Sequence, residues 1–133
     1  MHATLTIRDE TTFSFDNNTF IFTLDLMTER VTARELLRER VRHEVEEYNA
    51  RQPEYFRGLV QPVDAEKTLN GYRLRTKRQL DWEEQLDKAL EAFDRYRFIL
   101  LVDDRQVEAL DEVIEITPET SVTFLKLVPL VGG

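Results

Sequence analysis

Chemistry needs side chains that attack, move protons or hold metals, and this 133-residue chain has few of them. Cysteine is absent, which removes disulfides, thiolate metal sites and thiol nucleophiles together. The two histidines are His2 and His43. His43 and Glu47 have the i, i+4 spacing of helical metal ligands, but with no third ligand they read better as an ordinary surface pair. Ser14 and Ser121 fall in strand-like patterns without a glycine elbow, so they give no support to serine hydrolysis. Asp103-Asp104 offers oxygens to a cation, yet a polar turn after a strand explains it more simply. What stands out is a backbone feature. Glycine occurs four times in the chain, and two of the four are Gly132 and Gly133. At an average usage of about 7% per position, chance gives such a pair in roughly half a per cent of chains. The stretch 120–133, TSVTFLKLVPLVGG, reads as a strand that ends at Pro129 and releases a short tail.

Composition narrows the classes further. Hydrophobic residues at 41% and charged residues at 33% belong to an ordinary globular protein. No run approaches the length of a membrane span, and MHATLTIRDE shows no secretory pattern. Together with the missing cysteine, this predicts a cytoplasmic protein without a membrane partner. A net charge of −8 argues against a general nucleic-acid binder. Among the 18 basic residues only Lys67, Lys77, Lys88 and Lys126 are lysines.

The elements that must position the tail are readable in part. Ala3, Leu5 and Ile7 alternate with threonines as a half-buried strand, and Asp9 to Thr12 predict a break or bulge before Phe13 and Phe15. Asp16-Asn17-Asn18 predicts a turn, and Phe20, Phe22, Leu24 and Leu26 the second strand of an antiparallel hairpin. Thr32 and Glu35 have capping-box spacing, and Leu37, Val41, Val45 and Tyr48 form the stripe of a helix over about 32–49, laid on that hairpin.

Residues 50–80 are punctuated by Pro53, Gly58, Pro62 and Asn70-Gly71 but are too apolar for a disordered linker. They predict an ordered excursion with a tight turn at Asn70-Gly71. Arg73, Arg75, Lys77 and Arg78 read as a solvated run balancing nearby carboxylates rather than a contact for an acidic partner. A second helix starts near Asp81, with Trp82, Leu86, Ala89, Leu90 and Phe93 as its apolar stripe and Trp82 as a packing anchor. FILLV, 98–102, is apolar on both faces, as in a covered central strand. Asp103-Asp104-Arg105 turns the chain, Gln106 to Glu108 return as a short strand, and 109–116 form a compact connection. Lys126 breaks the alternation of the last strand, which predicts a bulge or an outward twist before Pro129.

This order of elements, closing in Gly-Gly, resembles the β-grasp of ubiquitin-like proteins. The clearest match is 98–133; residues 3–49 fit by order and pattern, and 50–96 have no counterpart in the minimal fold. The resemblance implies one α+β domain over 1–133, a mixed sheet packed on a helix, with a helical insertion at about 50–96 between the first helix and the third strand. Similar proteins include the eukaryotic modifiers, the small prokaryotic sulfur carriers, and bacterial ubiquitin-like proteins encoded beside their enzymes in phage-defence operons. The arginine-rich sequence and the insertion favour the bacterial group. Here the tail before Gly-Gly is Val-Pro-Leu-Val, where ubiquitin-like modifiers usually carry a longer basic one.

The family chemistry suits a chain with no catalytic inventory. A carboxylate becomes an acyl donor only once adenylated or made a thioester, so the Gly133 carboxyl must reach a nucleotide phosphate through a narrow channel. Gly132 and Gly133 pass where a Cβ would clash, and the body of the domain supplies binding energy at a distance. The resemblance thus implies a passenger, not an enzyme, with no cofactor of its own and ATP used by an activating enzyme. Implied partners are that enzyme, a conjugating enzyme, a deconjugating protease and target proteins, with Pro129, Leu130 and Val131 as the tail the enzymes bind. Attack by a lysine amine gives an isopeptide-linked modifier; attack by a persulfide sulfur gives a thiocarboxylate sulfur carrier. A third possibility is an interaction module without conjugation, using Ile99, Leu101 and Leu125 on the sheet face away from the helix.

Overall fold

The computed structural model describes residues 2–12, 19–68 and 70–127. It is an α+β structure with a mixed five-stranded sheet and two helices. The chain forms two compact units, Met1–Leu36 with Phe93–Gly133 as the first and Leu37–Ala92 as the second.

In the first unit, β1 (Ala3–Thr11) pairs antiparallel with β2 (Phe20–Leu26). On its other side β1 runs parallel to β9 (Ser121–Lys126), which pairs antiparallel with β6 (Phe98–Val102), and β6 with β7 (Arg105–Val107). The strand order is β2-β1-β9-β6-β7. One face carries the core, with Leu5, Ile7, Leu24, Leu26, Phe98, Leu100, Val102, Val107, Val122 and Phe124 all buried. The Phe98 ring centroid lies 5.9 Å from that of Phe124 and 6.1 Å from that of Phe93. Such close aromatic pairs add about 0.5–1.5 kcal/mol each beyond the area they bury.

The interruption expected over Asp9 to Thr12 does not begin at Asp9; β1 runs on to Thr11, where it ends. β1 does not break at Asp9, because Asp9 pairs with Phe20 on one side and Phe124 on the other. A strand paired on both edges keeps its geometry whatever one side chain is, and the buried Asp9 simply continues the inward series of Leu5 and Ile7. Nor does β9 bulge at Lys126, which pairs with both Thr11 and Phe98. The expected turn at Asp16-Asn17-Asn18 and the residues Phe13 and Phe15 lie outside the described residues.

The connection 109–116 is more ordered than its sequence implied. Val113–Glu115 is a strand, β8, that pairs with β3 (Arg30–Thr32) through Val31 opposite Ile114. It meets the start of α1 (Ala33–Arg51), where the N–H groups of Ala33 and Arg34 donate to the carbonyls of Glu112 and Leu110, each at 2.9 Å. These are among the donors a helix N-terminus cannot satisfy internally. Thr32 caps the same turn by accepting the Glu35 N–H at 3.1 Å, and its hydroxyl donates to the Glu35 carboxylate at 3.1 Å. The helix stops at Gln52, whose left-handed backbone (φ 43°) lets its N–H reach the Tyr48 carbonyl, with Pro53 following.

In the second unit the stripe Leu37, Val41, Val45 and Tyr48 is buried, as its spacing predicts. β4 (Ala65–Thr68) and β5 (Gly71–Leu74) form a hairpin in which Thr68 pairs with Gly71. Gly71 is therefore the first residue of β5, one place past the turn position expected for it. Its φ of +129° suits only glycine, and a Cβ there would meet the Phe56 carbonyl oxygen at 2.9 Å. That closeness exists because Phe56 and Tyr72 exchange backbone hydrogen bonds of 2.7 and 2.9 Å. α2 (Trp82–Asp94) is capped by Asp81, which accepts the Glu83 N–H at 3.0 Å. Its buried line is Gln85, Ala89 and Phe93, while Trp82, Leu86 and Leu90 are half-buried. The expected stripe was thus rotated by part of a turn, and Trp82 is a flank residue with the Arg38 guanidinium 5.9 Å from its ring centre.

Candidate functional site

The residues expected to do the chemistry, Gly132 and Gly133, and the enzyme-binding tail Pro129, Leu130 and Val131 lie outside the described residues. What can be built is the platform before them. β9 lies between β1 and β6 and is paired along its whole length, from Ser121 with Thr6 to Lys126 with Thr11. Two further bonds extend that clamp, Thr12 N–H to the Lys126 carbonyl at 3.0 Å and Leu127 N–H to the Arg97 carbonyl at 3.1 Å. The chain therefore stays in register up to Leu127. An internal strand held on both edges is among the last parts of a fold to open locally.

The sheet alternation places Ile99, Leu101 and Leu125 together on the face opposite the core. Ile99 pairs directly with Leu125, and Leu101 with Thr123. All three are partly exposed. The next strand presents Arg8 and Glu10 to the same face, 3.7 Å apart, opposite Thr123 and Leu125. The arrangement is a small apolar strip beside one exposed ion pair. It can bind an apolar surface and has no group to act on one.

The other candidates disperse. Asp103 and Asp104 have left-handed backbones (φ 49° and 65°) and form the two-residue loop between Val102 and Arg105, which pair with each other. That is the geometry of a tight hairpin turn matched to strand twist. The Asp103 carboxylate accepts the Ser121 N–H at 2.9 Å, which also accounts for Ser121's place at the start of β9. His43 is exposed, and Glu47 pairs with Arg51 at 2.9 Å. Among the described residues no three His, Asp or Glu side chains stand together as metal ligands. The basic run is matched as expected: the Arg73 Nε donates to Glu66 at 2.8 Å, Arg75 stands 3.8 Å from Asp64, and Arg78 donates to the Val63 carbonyl.

Sequence reasoning missed the buried polar centre of the second unit. Arg40 has no exposed surface, and its Nε donates to Glu44 at 3.2 Å. The other Glu44 oxygen accepts the Leu59 N–H at 3.1 Å, so one carboxylate joins α1 to the loop that follows it. Tyr72 stands nearby, its phenol held above the usual range first by burial and then by the Glu44 charge. Burial likewise raises Tyr48, with Arg78 pulling the other way. The signal was available: Arg40 is four residues from Leu36 and three from Leu37, on the buried face. A shallow depression of about 350 Å³ in this unit is lined by Tyr48, Gln52, Pro53, Glu54, Leu74 and Lys77, with no convergent reactive pair. Among the described residues no helix is long and apolar enough to cross a membrane. No protein-family model, curated protein or solved structure matches the chain.

Proposed function

We propose that this chain is a ubiquitin-like modifier of β-grasp type, activated at the Gly133 carboxylate and joined to amines of target proteins. The observation that carries the reading is the strand order β2-β1-β9-β6-β7 with β1 and β9 parallel. A terminal hairpin, a last strand inserted beside the first, and a helix between them are the arrangement the resemblance implies. β9 leads within a few residues to Val-Pro-Leu-Val-Gly-Gly, so a partner that grips the sheet meets the reacting carboxyl within the span of that short tail. This applies whether Gly133 is the natural end or is exposed by processing.

On this reading the protein supplies recognition and a carboxyl group, and ATP-dependent activation belongs to a separate enzyme. Pro129, Leu130 and Val131 occupy the groove of that enzyme, while Ile99, Leu101 and Leu125 offer the conjugating or deconjugating enzyme an apolar contact. The protein works in the cytoplasm, without nucleic acid or membrane. Mass spectrometry of the protein recovered from its host decides the matter. Gly133 linked to a lysine is the expected result. A terminal thiocarboxylate means sulfur transfer, and a free acid in every sample means a module that is not conjugated. Deleting Gly132-Gly133 abolishes either covalent fate and leaves the circular dichroism spectrum unchanged.

A further inference from the structure

Among the described residues the backbone of β2 has one side with no strand beside it, and the register tells which residues face that way. Thr12 N–H donates to Lys126 while Thr11 is the residue paired with Lys126. In a parallel ladder this turns the even-numbered residues of β1 towards β9 and the odd-numbered ones towards β2. Ala3, Leu5, Ile7 and Asp9 are therefore bonded to Leu26, Leu24, Phe22 and Phe20. The backbone groups of Ile21, Thr23 and Asp25 point outward, at the end of the sheet order, with no strand beyond them among the described residues.

Exposed edges of this kind are normally blunted by lysine, proline, a bulge or a short length. β2 is seven residues long, FIFTLDL, with neither proline nor a basic residue. Its odd-numbered side chains face water beside the open backbone: Ile21 is 53% exposed and Met27, just past the end of the strand, 73%.

We propose that this edge pairs with the same edge of a second copy, antiparallel, about a two-fold axis through Thr23. The register commits to that occupant. With Thr23 opposite its counterpart, Ile21 of each copy stands opposite Asp25 of the other. All three positions are outward-facing, so each pair exchanges two N–H···O=C bonds, and every open donor and acceptor of both edges is used. Faces also match. The core-side residues Phe20 and Phe22 meet Leu26 and Leu24 of the second copy, and the single carboxylate of each strand meets isoleucine rather than another carboxylate. An interface that uses the same patch twice closes at two copies, and two five-stranded sheets become one continuous sheet. The net charge of −8 on each chain opposes association, so salt strengthens it by screening.

Sedimentation equilibrium of the full chain at low and high salt tests this. A reversible dimer, tighter in salt, is expected. Thr23→Lys places two ammonium groups opposite each other and weakens the dimer by about tenfold or more. Ile21→Lys places a cation opposite each Asp25 and holds or tightens it, which distinguishes this register from general apolar adhesion. A nitroxide on Thr23→Cys gives a dipole-broadened spectrum that sharpens on dilution with unlabelled chain. A monomer at millimolar concentration, equal weakening by both lysines, or an unbroadened label in the dimer overturns the proposal.

Discussion

The two units of this chain are held together by different means. In the first, backbone ladders join five strands, and the side chains are left to alternate between core and water. In the second, side chains hold backbone. Glu44 takes the Leu59 N–H, Asn49 exchanges hydrogen bonds of 2.8 and 2.9 Å with Leu80, Gln85 donates to the Val60 carbonyl, and Lys88 donates to the Gln61 carbonyl. Charge divides as unevenly. The first unit has fourteen acidic residues against seven basic ones, the second twelve against eleven. Nearly all of the net charge thus lies on the unit that carries β9 and the proposed modifier tail. The near-balance of the second is spent internally, in pairs such as Arg73–Glu66 and Arg42–Glu46. A ladder tolerates substitution because its bonds do not depend on residue type. A loop tied by particular side chains does not.

The largest test of that difference is Arg40→Met. It removes the cation beside the part-buried Glu44 carboxylate and costs about 3–5 kcal/mol, read as a lowered midpoint in urea; adding Glu44→Gln, which removes the charge but keeps an acceptor for the Leu59 N–H, restores part of the loss. A smaller effect is expected at Gly71→Ala, which forces a Cβ onto the Phe56 carbonyl at a left-handed position and costs about 1–3 kcal/mol. The pH dependence follows from Tyr72, whose phenol is raised from 10.0 chiefly by burial. The unfolded chain then loses this proton before the folded one does. Stability is full below about pH 10 and falls as pH rises through the higher folded value. Tyr72→Phe flattens that decline, measured by urea titrations across the alkaline range. The smallest change belongs to the first unit: Asp104→Gly relieves a left-handed backbone in the two-residue turn and adds about 0.5–1 kcal/mol. A gain there beside a large loss at Arg40 keeps the contrast; equal sensitivity in both units breaks it.

Much of the first unit was legible because a strand with one wet face writes its period into the sequence. Leu5, Ile7, Leu24 and Leu26 are all inward, where alternation put them. A single polar side chain misleads where a ladder holds both edges of a strand, at Asp9 and at Lys126. β3 and β8 escaped because three residues carry too little alternation to show by themselves; β7, equally short, was legible from the Asp103-Asp104 turn before it. In the second unit the helices were readable and their contacts were not. Gln85 is buried on the central line of α2, since an amide whose Nε2 donates to a carbonyl satisfies itself inside.

The sequence by itself determined the inventory: no cysteine, two separated histidines, a rare pair of glycines, and the residues of each face of each long strand. These follow from composition and from the two-residue period, which are local. Only the tertiary structure decided which strand lies beside which, that β9 sits between β1 and β6, that β2 is an edge strand among the described residues, and that Arg40 closes on Glu44 away from water. Pairing joins residues a hundred positions apart, and the free energy that chooses among such pairings comes from burial and hydrogen-bond closure across the whole unit.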